Sequence, residues 1–337
     1  MTEFLVPEPE GPVSPASAPT FSVVIPAYQA AGTIGEAVGS ATAQTAPPHE
    51  VIVCDDGSTD GLEQALADYR DEIVLLHKPN GGGASALNAA ANVATGDFVV
   101  VLDSDDAYLP QRLEKLSQLG ASRPDLDVLS TDAYFEVDGR TTGRFNRANP
   151  FPVVAQREAL LRSCYLFAPA VRRTRLLAIG GFDEGLRIAY DWDCWTRLVL
   201  SGSAVGLVDR PLTRYRLREG SLSANRLAAL DERLTVLLKV ARSGASLTDA
   251  ESVTLKRSIS FHRARLRRAR AQTALLSRDP ASRRRSLEVA LTAGSPITAR
   301  LNALAAVVAP ELAARRLAKR SQEEAATNLL ARPTGDG

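Results

Sequence analysis

From residue 21 the chain alternates short apolar runs with segments whose apolar positions recur every three or four residues. Residues 21–26, 51–54, 73–76 and 98–102 read as buried strands. Between them, Ile34, Val38 and Ala41, then Leu62, Leu66 and Tyr69, then Leu87 and Ala91 each mark one face of a helix. Pro110 suits a first helical turn and opens a fourth helix with Leu113, Leu116 and Leu119. This alternation predicts an α/β fold with a Rossmann-like, mainly parallel sheet flanked by helices. Residues 128–130, 204–208 and 212–217 read as later strands, and 140–152 as an irregular loop. From Arg226 onward the period is helical throughout, broken at Gly244, Pro280, Pro296 and Pro310.

Residues 1–19 carry Pro7, Pro9, Pro12, Pro15 and Pro19 and no apolar period, so a disordered lead-in is expected. With 337 residues, 45% of them hydrophobic, the chain can bury a substantial core. The near-neutral total hides an asymmetry: residues 1–225 hold 19 Lys/Arg against 29 Asp/Glu, and residues 226–337 hold 21 against 10. Three segments are therefore predicted: a lead-in over 1–19, an α/β domain over 20–225 and a basic, all-helical extension over 226–337. No window reaches the roughly 18 apolar residues of a membrane span, and no signal-peptide pattern opens the chain, so a cytoplasmic protein is expected. Cys54, Cys164 and Cys194 lack paired spacing and read as reduced, buried thiols.

Acidic clusters follow two of the predicted strands. Residues 51–54 run into Asp55, Asp56 and Asp60, and residues 98–102 into Asp103, Asp105 and Asp106. In an open parallel sheet, ligands bind beyond the carboxyl ends of the strands, so both clusters should border one crevice. A divalent cation such as Mg²⁺ or Mn²⁺, sharing one or two carboxylates with substrate phosphates, would offset that much negative charge. Strand alternation would aim Asp103 and Asp105 the same way. A solvated acidic turn is the plainer alternative for either cluster.

The order of Phe21-Ser-Val-Val-Ile-Pro-Ala-Tyr28, Glu50-Val-Ile-Val-Cys-Asp-Asp-Gly-Ser-Thr-Asp60, Asn80-Gly-Gly-Gly-Ala-Ser-Ala-Leu-Asn88 and Thr95-Gly-Asp-Phe-Val-Val-Val-Leu-Asp-Ser-Asp-Asp106 resembles glycosyltransferase family 2. The likeness implies a GT-A fold and inverting, metal-dependent sugar transfer from a nucleotide-diphosphate sugar, UDP being favoured, in cell-envelope or surface polysaccharide or glycolipid synthesis. It implies that Pro26, Ala27 and Tyr28 line the nucleobase pocket, with Tyr28 stacking on the base. Asp56 would accept the base imide hydrogen, and Asp55 would support the strand end or the ribose. Asp103 would lie at ribose and metal, and Asp105 would be the principal metal ligand. Lys78, beside the glycine run, could reach the diphosphate.

The stretch from Gly180 to Leu198 resembles the second conserved region of that family. It aligns Asp191 with the general base, with Tyr190 where an acidic neighbour is usual. Asp191 could equally cap the following helix. Trp192 offers an aromatic platform for an acceptor sugar, while Trp195 fits core packing as well. The segment from Tyr215 to Ser223 resembles the closing family motif, with Arg218 where histidine is frequent, able to pair with the leaving diphosphate.

Residues 256–285 hold eleven Lys/Arg against Asp279, with Phe261, Leu266, Leu275 and Leu276 interleaved. Such a helix can rest on an anionic membrane, bringing lipid-linked glycan acceptors near at the inner face, or can form a lid or homodimer surface. Nucleic acid is not expected as a partner, because no recognition motif accompanies the charge. Two other functional classes stay open: a sugar-phosphate nucleotidyltransferase and a non-catalytic nucleotide- or glycan-binding scaffold.

Overall fold

The strands form where apolar runs can be buried on both sides. Val23, Val24 and Ile25 are wholly buried, as are Ile52, Val53 and Val100, each fully buried aliphatic side chain contributing about 1.5–3 kcal/mol. The computed structural model describes residues 3–7, 17–217, 225–292 and 296–319. The chain divides into two compact units, Met1–Leu222 and Ser223–Gly337.

In the first unit the strands are β1 (Phe4–Leu5), β2 (Phe21–Ala27), β3 (Glu50–Asp55), β4 (Val74–His77), β5 (Phe98–Val101), β6 (Ala107–Tyr108), β7 (Val128–Val137), β8 (Arg140–Arg144), β9 (Ala170–Arg172) and β10 (Val205–Arg216). Its helices are α1 (Ile34–Thr42), α2 (Leu62–Ala65), α3 (Gly83–Val93), α4 (Arg112–Ser122), α5 (Phe145–Ala148), α6 (Gln156–Leu160), α7 (Arg173–Ala178) and α8 (Tyr190–Leu200). They build one mixed sheet in the order β1-β10-β7-β9-β5-β2-β3-β4, with β6 on β10 and β8 on β7. The fold is the expected α/β one. Parallel pairing is confined to β5-β2-β3-β4 and to β7 with β10. Helix α1 shows how the sequence period becomes packing: Ile34, Ala37, Val38 and Ala41 are all buried, one face against the sheet.

Several expectations need correction. Phe4 and Leu5 pair with Val208 and Leu207, and Glu3 reaches Lys115 and Arg210, so this part of the lead-in is ordered. Residues 8–16 of the same expectation lie outside the described residues. The stretch read as a loop over 140–152 contains β8 and α5, and the two late strands are one continuous β10. Cys164 is only half-buried, whereas Cys54 and Cys194 are buried.

The second unit holds α9 (Arg226–Arg242), α10 (Asp249–Leu276), α11 (Ser282–Leu291) and α12 (Ile297–Val308). Helix α10 opens with a capping box, Thr248 accepting from the Glu251 amide and Glu251 from the Thr248 amide. Leu266 and Leu275 of α10 turn inward. The apolar positions first read as a membrane face of that helix are therefore partly its core.

Candidate active site

Strands β5, β2 and β3 are parallel neighbours, so their carboxyl ends share one edge of the sheet. Pro26 and Ala27 end β2 in register with Cys54 and Asp55. Tyr28 follows at the tip, 53% exposed. The chain after β2 is tied to the chain after β3: the Gln29 amide donates to Ser58 Oγ at 3.0 Å, and the Ala31 amide to Asp60 Oδ2 at 2.8 Å.

The acids after β3 are heavily engaged. Asp55 Oδ1 accepts the Ser58 amide at 2.8 Å, and His77 Nδ1 lies 3.3 Å from its other oxygen. Burial works against its charge, but these hydrogen bonds outweigh that and hold its carboxyl below the ordinary range. Asp56, 2% exposed, accepts from Lys78 Nζ at 2.6 Å and from the amides of Gly81 and Gly82 at 2.9 and 2.7 Å. Lys78 thus holds Asp56 and the Pro79 carbonyl. Gly82 has φ +92° and ψ 167°, a conformation open to glycine and little else.

The acids after β5 differ. The strand stops at Val101, so Asp103 and Asp105 sit in a turn closed by the Asp106 amide on the Asp103 carbonyl at 3.0 Å. Strand alternation therefore does not set their direction, contrary to the expectation. Among the described residues no hydrogen bond or ion pair reaches either the Asp103 or the Asp105 carboxylate. Burial, then the charges of Asp105 and Asp191, push the Asp103 carboxyl up to about 7. Asp106 is buried and accepts the Arg216 amide at 2.9 Å; burial and then Asp103 raise its carboxyl well above the usual range. Arg216 also donates from Nη1 to the Asp105 carbonyl at 3.2 Å and pairs with Glu36 and Glu136, fixing this turn to β10.

Asp191 stands in the first turn of α8, where the helix dipole favours a carboxylate. It is not the N-cap, which is Ala189; its Oδ1 accepts the Trp192 amide at 2.6 Å. Its charge acts on Asp103, so Asp103, Asp105 and Asp191 form one electrostatic cluster. Asn88 of α3 helps place it, donating to the Phe182 carbonyl at 2.9 Å and accepting the Phe182 amide at 2.8 Å. Arg197 anchors α8 to the same turn through the carbonyls of Ile179 and Gly181, at 2.8 and 2.6 Å.

Two residues were missed in the sequence. Tyr190 lies against the cluster: burial and then Asp103, Asp191, Tyr215 and Asp105 raise its phenol well above the ordinary value. A Cβ on Gly83 would stand 2.9 Å from its hydroxyl, which joins the glycine run to the acid cluster. Arg112 is wholly buried, its guanidinium 4.5 Å from the Tyr108 ring centre, donating to the hydroxyls of Thr131 and Thr213 and to the Ala168 carbonyl at 2.5 Å. An arginine beside Leu113 and Leu116 on an inward helix face was the available signal. Trp192 was misread: it is buried, with Nε1 donating to the Leu160 carbonyl at 2.9 Å, and offers no face to a sugar. Trp195 is buried too, edge-to-face on Phe182. Arg218 lies outside the described residues.

The donor set is all oxygen and suits a hard divalent cation. Among the described residues no three His, Cys, Asp or Glu side chains converge to hold an ion by themselves. Asp103 and Asp105 would supply the protein's share of its shell.

A family model described as Glycosyl transferase family 2 matches residues 22–177. The chain is 30% identical over 226 residues to an uncharacterized glycosyltransferase of Rickettsia typhi, covering 64% of this chain and 69% of the relative. It is 33% identical over 226 residues to the succinoglycan biosynthesis protein ExoO of Rhizobium meliloti, covering 61% and 63%. In fold it is similar to residues 1–349 of Staphylococcus aureus TarS in complex with UDP-GlcNAc, with a TM-score of 0.62, 20% identity, and coverage of 90% of this chain and 92% of that one.

Proposed function

The chain belongs to glycosyltransferase family 2, and on that premise we propose that it moves a sugar from a nucleotide-diphosphate donor to an acceptor hydroxyl with inversion. The observation that carries this reading is the pair Asp103 and Asp105, whose carboxylates meet no partner among the described residues while burial and the neighbouring charges push Asp103 up to about 7. Asp103 and Asp105 would hold a Mg²⁺ or Mn²⁺ ion, which would supply charge neutralisation at the donor diphosphate. Asp191 takes the proton from the acceptor hydroxyl as its oxygen attacks the anomeric carbon. The Tyr190 phenol stays protonated beside it and keeps a further anion out of the cluster.

Tyr28, exposed at the tip of β2, stacks on the base beside Pro26 and Ala27. Asp56 keeps one acceptor position beyond its three donors for the base imide hydrogen. Asp55 acts one step back, holding the loop through Ser58. Lys78 reaches the donor only if it leaves Asp56. The UDP-GlcNAc complex of the structural neighbour supports UDP as the nucleotide. The relationship to a succinoglycan biosynthesis protein supports a glycan, free or lipid-linked, as acceptor in polysaccharide synthesis.

The test separates binding from transfer. Asp105→Ala should abolish Mn²⁺-dependent binding of UDP by calorimetry. Asp191→Asn should bind UDP as the wild type does and lose about 10²–10⁴-fold in transfer. Normal transfer by the Asn variant would remove Asp191 from its role. UDP binding without turnover of any UDP-sugar by the wild type would favour a scaffold instead.

A further inference from the structure

Helix α12 is inside out for a helix that serves only its own unit. Its buried positions are two alanines: Ala303 joins Ala271, Val289 and Ala290 in a buried cluster, and Ala306 is buried as well. Arg300 fixes the helix to α11 by donating from Nε to the Ala290 carbonyl at 2.8 Å. Its large residues face out: Ile297, Leu301, Leu304 and Val308 are 74, 60, 46 and 81% exposed. At 3.6 residues per turn these four fall within about 60° of arc, opposite Ala306. Leu312, in the separate helical stretch over 310–319, is exposed as well. A contiguous apolar surface of this kind marks an interaction site.

We propose that this stripe docks the protein on an anionic lipid surface. Charge selects that occupant. Residues 226–337 carry 21 Lys/Arg against 10 Asp/Glu, and Arg315, Arg316 and Lys319 follow the stripe in sequence. A second copy of the chain meeting the stripe in an isologous contact would bring these same cations together, which is unfavourable. Anionic headgroups over acyl chains supply both the missing countercharge and an apolar medium. Among the described residues no helix is long and apolar enough to cross a membrane, so the helix lies on the surface. The docking face is α12, not the arginine-rich α10, whose Leu266 and Leu275 are buried. This inference stands apart from the transfer chemistry.

Full-length protein should sediment with vesicles of phosphatidylglycerol and phosphatidylcholine and stay in solution with phosphatidylcholine alone. Leu301→Ser combined with Val308→Ser should weaken that partition about tenfold or more. Both positions are solvent-facing, so the variant should keep the wild-type thermal midpoint by circular dichroism. Arg315→Gln with Arg316→Gln should weaken it about tenfold on the anionic vesicles. Failure of the wild type to sediment, equal sedimentation of the Ser variant, or a dimer in light scattering that the Ser variant dissolves would each overturn the proposal. Hydrolysis of UDP-sugar without vesicles should be the same in wild type and Ser variant, so a docking failure is distinguishable from an error in the proposed reaction.

Discussion

Two acidic clusters stand at the same edge of the sheet, one on either side of β2, and they are built in opposite ways. After β3, each carboxylate has its partners: Asp55 has Ser58 and His77, and Asp56 has Lys78, Gly81 and Gly82. After β5, Asp103 and Asp105 have none among the described residues, and Asp103 is pushed up to about 7 by burial and by its acidic neighbours. The first cluster spends its charge on holding a loop, and the second, without partners among the described residues, is the ligand site of the proposed function. Similar runs of Asp in a sequence can therefore be engaged in one place and unmatched in another.

The sharpest way to break that contrast is to delete one acid from each side. Asp56→Ala leaves the Lys78 ammonium and two loop amides without their acceptor, so it should cost about 3–5 kcal/mol of stability. Asp105→Ala removes a carboxylate with no partner among the described residues and should change stability by less than about 0.5 kcal/mol. Urea denaturation of both variants in EDTA measures the two together. A larger loss for Asp105→Ala than for Asp56→Ala would reverse the assignment of scaffold and ligand site.

Smaller, but more specific, is the pH response of the second cluster. The unfolded chain releases the Asp103 proton near 3.8, while the folded protein keeps it to about 7. Between those values the folded state binds more protons, so stability falls as pH rises through the window and stays low above it. Asp103→Asn removes that loss and should stabilise the metal-free protein at pH 8 by on the order of 2 kcal/mol, with no gain at pH 3. Mn²⁺ should in turn raise the thermal midpoint of the wild type at pH 8 more than that of the variant. A flat difference between the two proteins from pH 3 to pH 8 would mean that Asp103 is not strained by its neighbours.

The parallel half of the sheet was legible because β2, β3 and β5 are continuous apolar runs, and acids follow two of them directly. Strand β8, Arg140–Arg144, was not legible, being a polar edge with no alternation to mark it. Nor was β1, where two apolar residues in a proline-rich stretch pair with a strand some two hundred residues away. The membership of Asp103, Asp105 and Asp191 in one cluster was expected from resemblance, and their neighbourhood depends on tertiary placement of α8 by Asn88 and Arg197. The direction of Asp103 and Asp105 was argued from strand alternation, which fails once the strand ends at Val101. Tyr190 looked like a missing carboxylate, because a sequence does not say that a phenol packs against a glycine.

That glycine is where the two clusters meet, and it gives the smallest effect. Asp56 fixes Gly81 and Gly82, and the next residue, Gly83, starts α3 under the Tyr190 hydroxyl. Alanine suits a helix better than glycine by about 1 kcal/mol. Here its Cβ would lie 2.9 Å from the hydroxyl and 3.3 Å from the ring carbon that bears it, so the ring must shift. Overpacking of that kind costs about 1–3 kcal/mol, leaving a net loss of about 1 kcal/mol for Gly83→Ala. Tyr190→Phe in the same chain deletes the closest atom and should return most of that loss. If the double variant is no more stable than Gly83→Ala alone, the glycine loop and the acid cluster are not in contact through Tyr190. Scaffold and ligand site would then be independent in energy as well as in hydrogen bonding.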